Sequence, residues 1–365
     1  MDRRQFFTGV TAAGICTSCG LRRSSAQPAK GGQRRKVMVG GKRVRTVDIH
    51  CHCTVPEVLD VVKGTPMEAR AQQSLRVPGN NPSMEKRLAV MDADGIDVEA
   101  MSVNAWWYGA DQDTARRIID LQNEKLMALC QQAPGRLAAF ATVSLQFPEL
   151  AAKQLEIGMK QQGLCGGAIG CSVEGDELSN PKFDPFWQKA EELGALLFMH
   201  PQDSEAVTGI AKRVQGYGAL GNVIGNPLET TIALSHMIMD GTLDKFPKLR
   251  LCAAHGGGYL PSYAARLDHG CSVQPNFCKG NGPRKKPSEY LKQIYIDSLI
   301  FTPEGLRHLV AESGAGQIMI GTDYGFPWVD DPVGHVLSTP GLSDANKIAI
   351  LGGTAAKLIK LPPMA

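Results

Sequence analysis

The run VDIHCHC (residues 47–53) sets two histidines and two cysteines in alternation, and both residue types bind divalent metals. In a strand, successive side chains point to opposite faces, so His50 and His52 share one face and Cys51 and Cys53 the other. The two imidazoles then stand about 6.7 Å apart along the chain, near enough to converge on one ion at bonds of about 2.1 Å. The cysteines face the opposite way and are read as packing. Two histidines make an incomplete site. Three other apolar runs each end on a polar group: His200 closes LLFMHP, His255 closes LCAAHGGG and Asp323 closes IMIGTDY.

Neutral imidazoles with one carboxylate suit zinc, with manganese as the other first-row candidate. An ion held by three histidines and Asp323 keeps a net positive charge that activates water or polarises a substrate oxygen. A fourth histidine, His255, is then left as an acid–base group beside the ion. Of the remaining histidines, His236, His269, His308 and His335 lie in helical or loop stretches and are read as surface or packing residues.

Groups so distant in sequence need a scaffold that brings strand ends together. Eight short apolar runs supply it: RTVDIHCH, VEAMSVN, LAAFATVS, LCGGAIG, ALLFMHP, LRLCAAHG, QIYIDSL and QIMIGTDY. Longer amphipathic segments separate them, such as TARRIIDLQNEKLMALCQQ, PFWQKAEEL and TPEGLRHLVAES. The runs are too apolar for half-exposed strands, so the pattern predicts a parallel (β/α)8 barrel with insertions in its βα loops. A doubly wound open sheet is disfavoured because no glycine-rich phosphate loop follows the first strand. On a barrel all five polar groups fall at the C-terminal mouth, where barrel enzymes keep their active sites. Long stretches after strands 1 and 5 open on the same face.

Composition agrees with a globular enzyme: 365 residues, 43% hydrophobic and 21% charged. The net charge of +3 comes from the first residues, MDRRQFFTGVTAAGICTSCGLRRSSAQPA. A twin arginine (Arg3, Arg4), a short apolar stretch and small residues before Ala26 read as a twin-arginine export signal covering residues 1–26. That makes the protein periplasmic. Residues 27–44 read as a basic, glycine-rich solvated arm, and 45–361 as the catalytic domain. No membrane-spanning or nucleic-acid-binding pattern is present. In an oxidising compartment Cys271 with Cys278, or Cys165 with Cys171, are the nearest pairs for a disulfide.

This set of residues on this architecture resembles the amidohydrolase superfamily, and within it the branch typified by aminocarboxymuconate semialdehyde decarboxylase. The likeness runs from about residue 45 to 360. It is carried by VDIHCH, YIDSL, IGTDYGFP and the long block GNPLETTIALSHMIMDGTLDKFPKLRLCAAHGGGYLPSYAARLDHG. The resemblance implies metal ligation by His50, His52, His200 and Asp323, with His255 as the acid–base residue. It also implies a homodimer in which Arg266 grips a substrate carboxylate in the neighbouring subunit's site. Arg76, or alternatively Arg87, is the match to a second carboxylate-binding arginine. The substrate class implied is a small carboxylated aromatic or muconate-semialdehyde-like acid, and the reaction is its non-oxidative decarboxylation.

Many hydrolases of the superfamily carry a metal-bridging lysine at the end of strand 4; GGAIGCS has none, so one metal is expected. Mononuclear hydrolysis of a lactone or a carbon–carbon bond is the alternative reaction, and a non-catalytic metal binder a third. Trp106 and Trp107 are either stacking platforms for a planar substrate or core. The export reading predicts a mature periplasmic protein that begins at Gln27. N-terminal sequencing of the exported form checks this, and an intact Met1 contradicts it.

Overall fold

The structure is a computed structural model that describes residues 34–364 except 77–81, 203–212, 215, 217, 281, 327 and 330. The export signal (1–26) and residues 27–33 lie outside the described residues. Each of the eight apolar runs contains a strand: β1 (Val47–His52), β2 (Val98–Ser102), β3 (Leu137–Ala139, resumed at Ala141–Thr142), β4 (Gly166–Gly170), β5 (Leu196–His200), β6 (Arg250–Ala253), β7 (Tyr295–Asp297) and β8 (Ile318–Met319). All pair in parallel with their sequence neighbours.

The sheet closes on itself at two seams. Phe140 joins the halves of β3, and its N–H donates to the Met101 carbonyl at 2.9 Å. Between β8 and β1, Ile49 N–H donates to Ile320 O and His52 N–H to Tyr324 O, both at 2.9 Å. The result is the expected (β/α)8 barrel. Its lumen is filled by Val47, Ile49, Ala100, Phe140, Phe198 and Cys252 among others. The opposite face of the strands, with Met101, Leu197, Leu251 and Ile296, packs on the helices. Burial on both faces is why these runs are apolar throughout rather than alternating.

Residues 34–44 depart from the solvated arm read in the sequence. Met38–Val39 pairs antiparallel with Lys42–Arg43 across Gly40–Gly41, whose φ values of 55° and 76° suit a two-residue hairpin turn. Val37, Val39 and Val44 are buried, and Arg34 and Arg43 both reach the Asp97 carboxylate. Alternating valines pull the segment onto the barrel, and three of the arginines that suggested solvation are paired with carboxylates. No described helix is long and apolar enough to cross a membrane.

Helix α1 (Met84–Asp94) is capped by Ser83 and ends at Gly95 in the left-handed region. It docks through Arg87, which is buried: one guanidinium nitrogen lies 2.6 Å from Glu99 of β2, and the other donates to His52 O at 2.6 Å. Burial still pushes the Glu99 carboxyl upward in pKa against the pull of Arg87. Removing one partner strands a buried charge. The variant Arg87→Met is therefore expected to cost about 3–5 kcal/mol of stability, and Arg87→Met/Glu99→Leu to recover most of it. Urea unfolding midpoints measure both; a single variant within about 1 kcal/mol of the parent would contradict the assignment.

Candidate metal centre

Strand β1 carries an irregularity that the sequence did not reveal. Its register with β2 runs Asp48↔Glu99 and then Cys51↔Met101, three residues against two. The extra residue lets Ile49 and His50 both face inward: Ile49 joins the lumen cluster, and the His50 ring lies 4.9 Å from that of Phe198. Bulges of this kind re-aim side chains beside active sites. Beyond it, His52 faces the mouth, and Cys51 and Cys53 are buried in the outer cluster, as alternation requires.

The donors from β1, β5 and the segment after β8 meet at the mouth. Ligand atoms of His50, His52, His200 and Asp323 all lie within 4.8 Å of one another, and all four residues are buried. His50 Nε2 is 3.1 Å from His52 Nε2 and 3.3 Å from Asp323 Oδ1; His52 Nε2 is 2.8 Å from the same oxygen. Donors sharing one ion at bonds of 2.0–2.2 Å stand about 3.0–3.5 Å apart, so this spacing fits a divalent cation. Ring tautomers are set from behind. The Nδ1 of His50 donates to Asp297 Oδ2 at 2.7 Å, and that of His200 to Pro201 O at 2.6 Å, which leaves Nε2 of each free to ligate. Gly321 makes room for the set: a Cβ there would come within 2.9 Å of Asp297 Cβ and 3.1 Å of His50 Cβ.

The charges respond to this crowding. Burial lowers His50, but the carboxylates of Asp323 and Asp297 outweigh it and raise its pKa to about 10. Burial raises Asp323, yet His50 and His52 hold it well below the ordinary carboxylate range. His200 is pushed well below its usual value by burial and by the neighbouring histidines.

His255 is brought to the same mouth without joining the four. Its ring centre is 5.2 Å from that of His50 and 5.1 Å from that of His200. Burial and His50 push its pKa down to about 4, and its Nδ1 is buried without a hydrogen-bond partner. Both His255 (φ 57°) and Asp323 (φ 55°) hold the left-handed conformation, a strain that persists where the surrounding structure over-determines it. What fixes His255 is Asp297, a residue given no role from sequence. Besides His50, its carboxylate accepts from the N–H groups of His255 (2.8 Å), Gly256 (2.7 Å) and Leu299 (3.0 Å). Its position at the end of β7, in YIDSL, was the available signal. Phe326 was also missed; its ring meets His52 edge-on at 5.4 Å.

The arginines separate sharply. Arg87 is buried beneath the site and committed to Glu99 and His52 O, so it is not a substrate clamp. Arg76 is exposed and immediately precedes residues that are not described. Arg266 is exposed on the outer face of the helix Leu260–Val273, in a groove of about 360 Å³ also lined by Tyr263, Phe277 and the Cys271–Cys278 disulfide. Cys165 and Cys171, the other proposed pair, are free thiols. Trp107 is core: it is fully buried and donates to Val143 O at 2.9 Å, with Trp106 half-buried against it. His236 pairs with Asp240 at 2.9 Å and His308 with Ser262 at 3.0 Å, both on the surface.

Residues 47–361 match the family model described as amidohydrolase. A 2-amino-3-carboxymuconate-6-semialdehyde decarboxylase from Dictyostelium discoideum is 28% identical over 321 residues, which cover 87% of this chain and 85% of that protein. A gamma-resorcylate decarboxylase from Polaromonas sp. is 28% identical over 291 residues, 76% of this chain and 87% of that one. Among solved structures, 5-carboxyvanillate decarboxylase from Sphingomonas paucimobilis superposes with a TM-score of 0.79 at 22% identity, covering 87% of this chain and all of that one. A dihydroxybenzoic acid decarboxylase from Polaromonas sp., solved with bound manganese and the inhibitor 2-nitroresorcinol, gives 0.74 at 23% identity, covering 88% of this chain and 98% of that one. With its mouth of strand-end histidines and a family match spanning nearly the whole barrel, the chain belongs to the amidohydrolase family.

Proposed function

We propose that this protein is a metal-dependent, non-oxidative carboxy-lyase acting on a small carboxylated aromatic or muconate-semialdehyde-like acid. The observation that carries the reading is the pairing of a four-donor site with His255, a half-buried histidine held beside the donors but outside them. The decarboxylases among its relatives support the same chemistry. A storage site has no use for such a group. Hydrolysis is the second class, and net CO2 release without water uptake excludes it.

His50, His52, His200 and Asp323 would hold the ion. A divalent cation there supplies positive charge that draws a substrate oxygen to the mouth and stabilises charge developing on the substrate. Zinc fits the donor set; the manganese bound by the dihydroxybenzoic acid decarboxylase makes manganese the competing assignment, and elemental analysis separates them. The carbon–carbon bond to the carboxylate breaks, its electron pair stays on the ring or alkenyl carbon, and CO2 leaves. A proton must replace it there. His255 is assigned to carry that proton on the imidazole, with the Asp297 carboxylate fixing the backbone that aims the ring. Burial and the neighbouring His50 favour the neutral imidazole, so His255 takes the proton from water or from an acidic group of the substrate before passing it to that carbon.

The substrate carboxylate needs a cation, and among the described residues Asp323 and the imidazoles have no lysine or arginine partner. Arg266 is the assigned clamp, supplied by a second copy of the chain in a homodimer, because its guanidinium fork matches a carboxylate and it is exposed on an apolar groove. Arg76 is assigned as a second clamp within the chain. The protein is assigned to the periplasm through its twin-arginine leader.

Three outcomes test these roles with a panel of hydroxybenzoates, carboxylated phenols and muconate semialdehydes. Chelation abolishes CO2 release and refilling with Mn2+ or Zn2+ restores it; unaffected turnover would remove the metal from the reaction. His255→Ala keeps full metal content but loses about 10²–10⁴-fold in kcat, and activity near the parent would remove His255 from the chemistry. Mixing inactive His255→Ala with Arg266→Ala regenerates up to about a quarter of the parent activity, because each mixed dimer holds one intact site. No recovery on mixing would place Arg266 outside the partner's site.

A further inference from the structure

We propose that Asp48 and Thr322 form a latch that sets metal affinity by locking the strand carrying His50 to the turn carrying Asp323; both are positioning residues. The proposal rests on the metal-site reading and goes beyond it, since neither residue is among the four donors.

The two ligands come from chain segments 273 positions apart, yet their donor atoms must sit about 3 Å from each other to share an ion. Backbone pairing alone does not guarantee that. At this point β1 bulges, and the segment after β8 leaves regular strand geometry with Asp323 in the left-handed region. Two irregular backbones meet here. Backbone bonds at Ile49–Ile320, His50–Asp323 and His52–Tyr324 join them, and a side-chain tie between the two segments adds to that pairing.

Asp48 is the tie. It is fully buried, and its carboxylate accepts from His50 N–H at 3.0 Å, which pins the bulge. The same carboxylate accepts from Thr322 N–H at 3.2 Å and from the Thr322 hydroxyl at 2.5 Å, which pins the turn. The Thr322 hydroxyl in turn accepts from Tyr324 N–H at 3.0 Å, so the two residues flanking Asp323 are held through one oxygen. His50 O closes the loop by accepting from Asp323 N–H at 2.8 Å. Two of these bonds brace each segment internally, and the other three cross from the strand of His50 to the turn of Asp323. The carboxylate is thus fully engaged and takes no part in binding the ion itself. Outer partners of this kind commonly govern 10–100-fold in metal affinity.

The decisive variants are Thr322→Val, which removes the hydroxyl at nearly constant shape, and Thr322→Ser, which keeps it. Mn2+ affinity of the mature protein is read by competition with a chromophoric chelator, and the thermal midpoint of the metal-free protein is read alongside. The latch predicts that Thr322→Val binds Mn2+ about 10–100-fold more weakly, while Thr322→Ser stays within about threefold of the parent. Asp48→Asn, which cannot accept at both oxygens, should fall with Thr322→Val. Parent-like affinity in Thr322→Val, or equal weakening in Thr322→Ser, overturns the proposal. So does a lowered thermal midpoint with unchanged affinity, the signature of a purely structural role. If the parent itself binds no Mn2+ or Zn2+, it is the metal-site reading that fails, which keeps the two outcomes apart.

Discussion

Everything at this mouth depends on one electrostatic constraint: three imidazoles and a carboxylate are confined, out of water, within 4.8 Å. Two imidazole nitrogens 3.1 Å apart repel unless a proton or a cation lies between them. The chain answers with fixed acceptors behind the rings. Asp297 takes the Nδ1–H of His50 and a backbone carbonyl takes that of His200, so the Nε2 atoms of these two rings are turned to the common centre that His52 Nε2 also faces. A divalent cation is what such a centre stabilises. The strained backbones at His255 and Asp323 persist because the hydrogen bonds around Asp297 and Asp48 over-determine them.

That constraint explains the division of labour around the barrel. Strand ends supply ligands, because their positions are fixed by the parallel ladder to within the tolerance that metal bonds allow. β1, β5 and the segment after β8 give the donors, β6 gives the acid–base candidate, and β7 gives the carboxylate that orients both sets. The helical layer contributes indirectly: Arg87 ties α1 to Glu99 and to the carbonyl of His52, and its guanidinium lies over the Tyr324 ring at 4.8 Å. Its charge is committed to Glu99 and to that carbonyl, so among the described residues it leaves the donor set no free cation of its own.

Much of this was legible in the sequence, for a definite reason. Doubly buried strands are short uninterrupted apolar runs, and a polar residue closing such a run is conspicuous; that singled out His50, His52, His200, His255 and Asp323 together. What escaped were features without a compositional mark. The β1 bulge is a matter of register, and a two-period reading of residues 47–53 cannot show where one residue is added. Asp297, Asp48 and Thr322 look like ordinary strand residues until their partners, hundreds of positions away in some cases, are placed beside them. The hairpin at 38–43 was hidden by charge: its valines alternate, but the basic residues around them read as solvent-seeking until Asp97 and Asp331 supply counter-ions to the arginines. Arg87, the alternative to Arg76 as a carboxylate clamp, is ruled out only by the position of Glu99 on β2, which no spacing within the sequence reveals.

The account stands or falls on where a metal sits. Anomalous diffraction from crystals of the protein grown with Mn2+, recorded at the manganese edge, locates the ion directly. A single peak about 2.0–2.3 Å from the Nε2 atoms of His50, His52 and His200 and from Asp323, with His255 beyond bonding distance, is the predicted result. A peak ligated by His255, or none among these side chains, would contradict it.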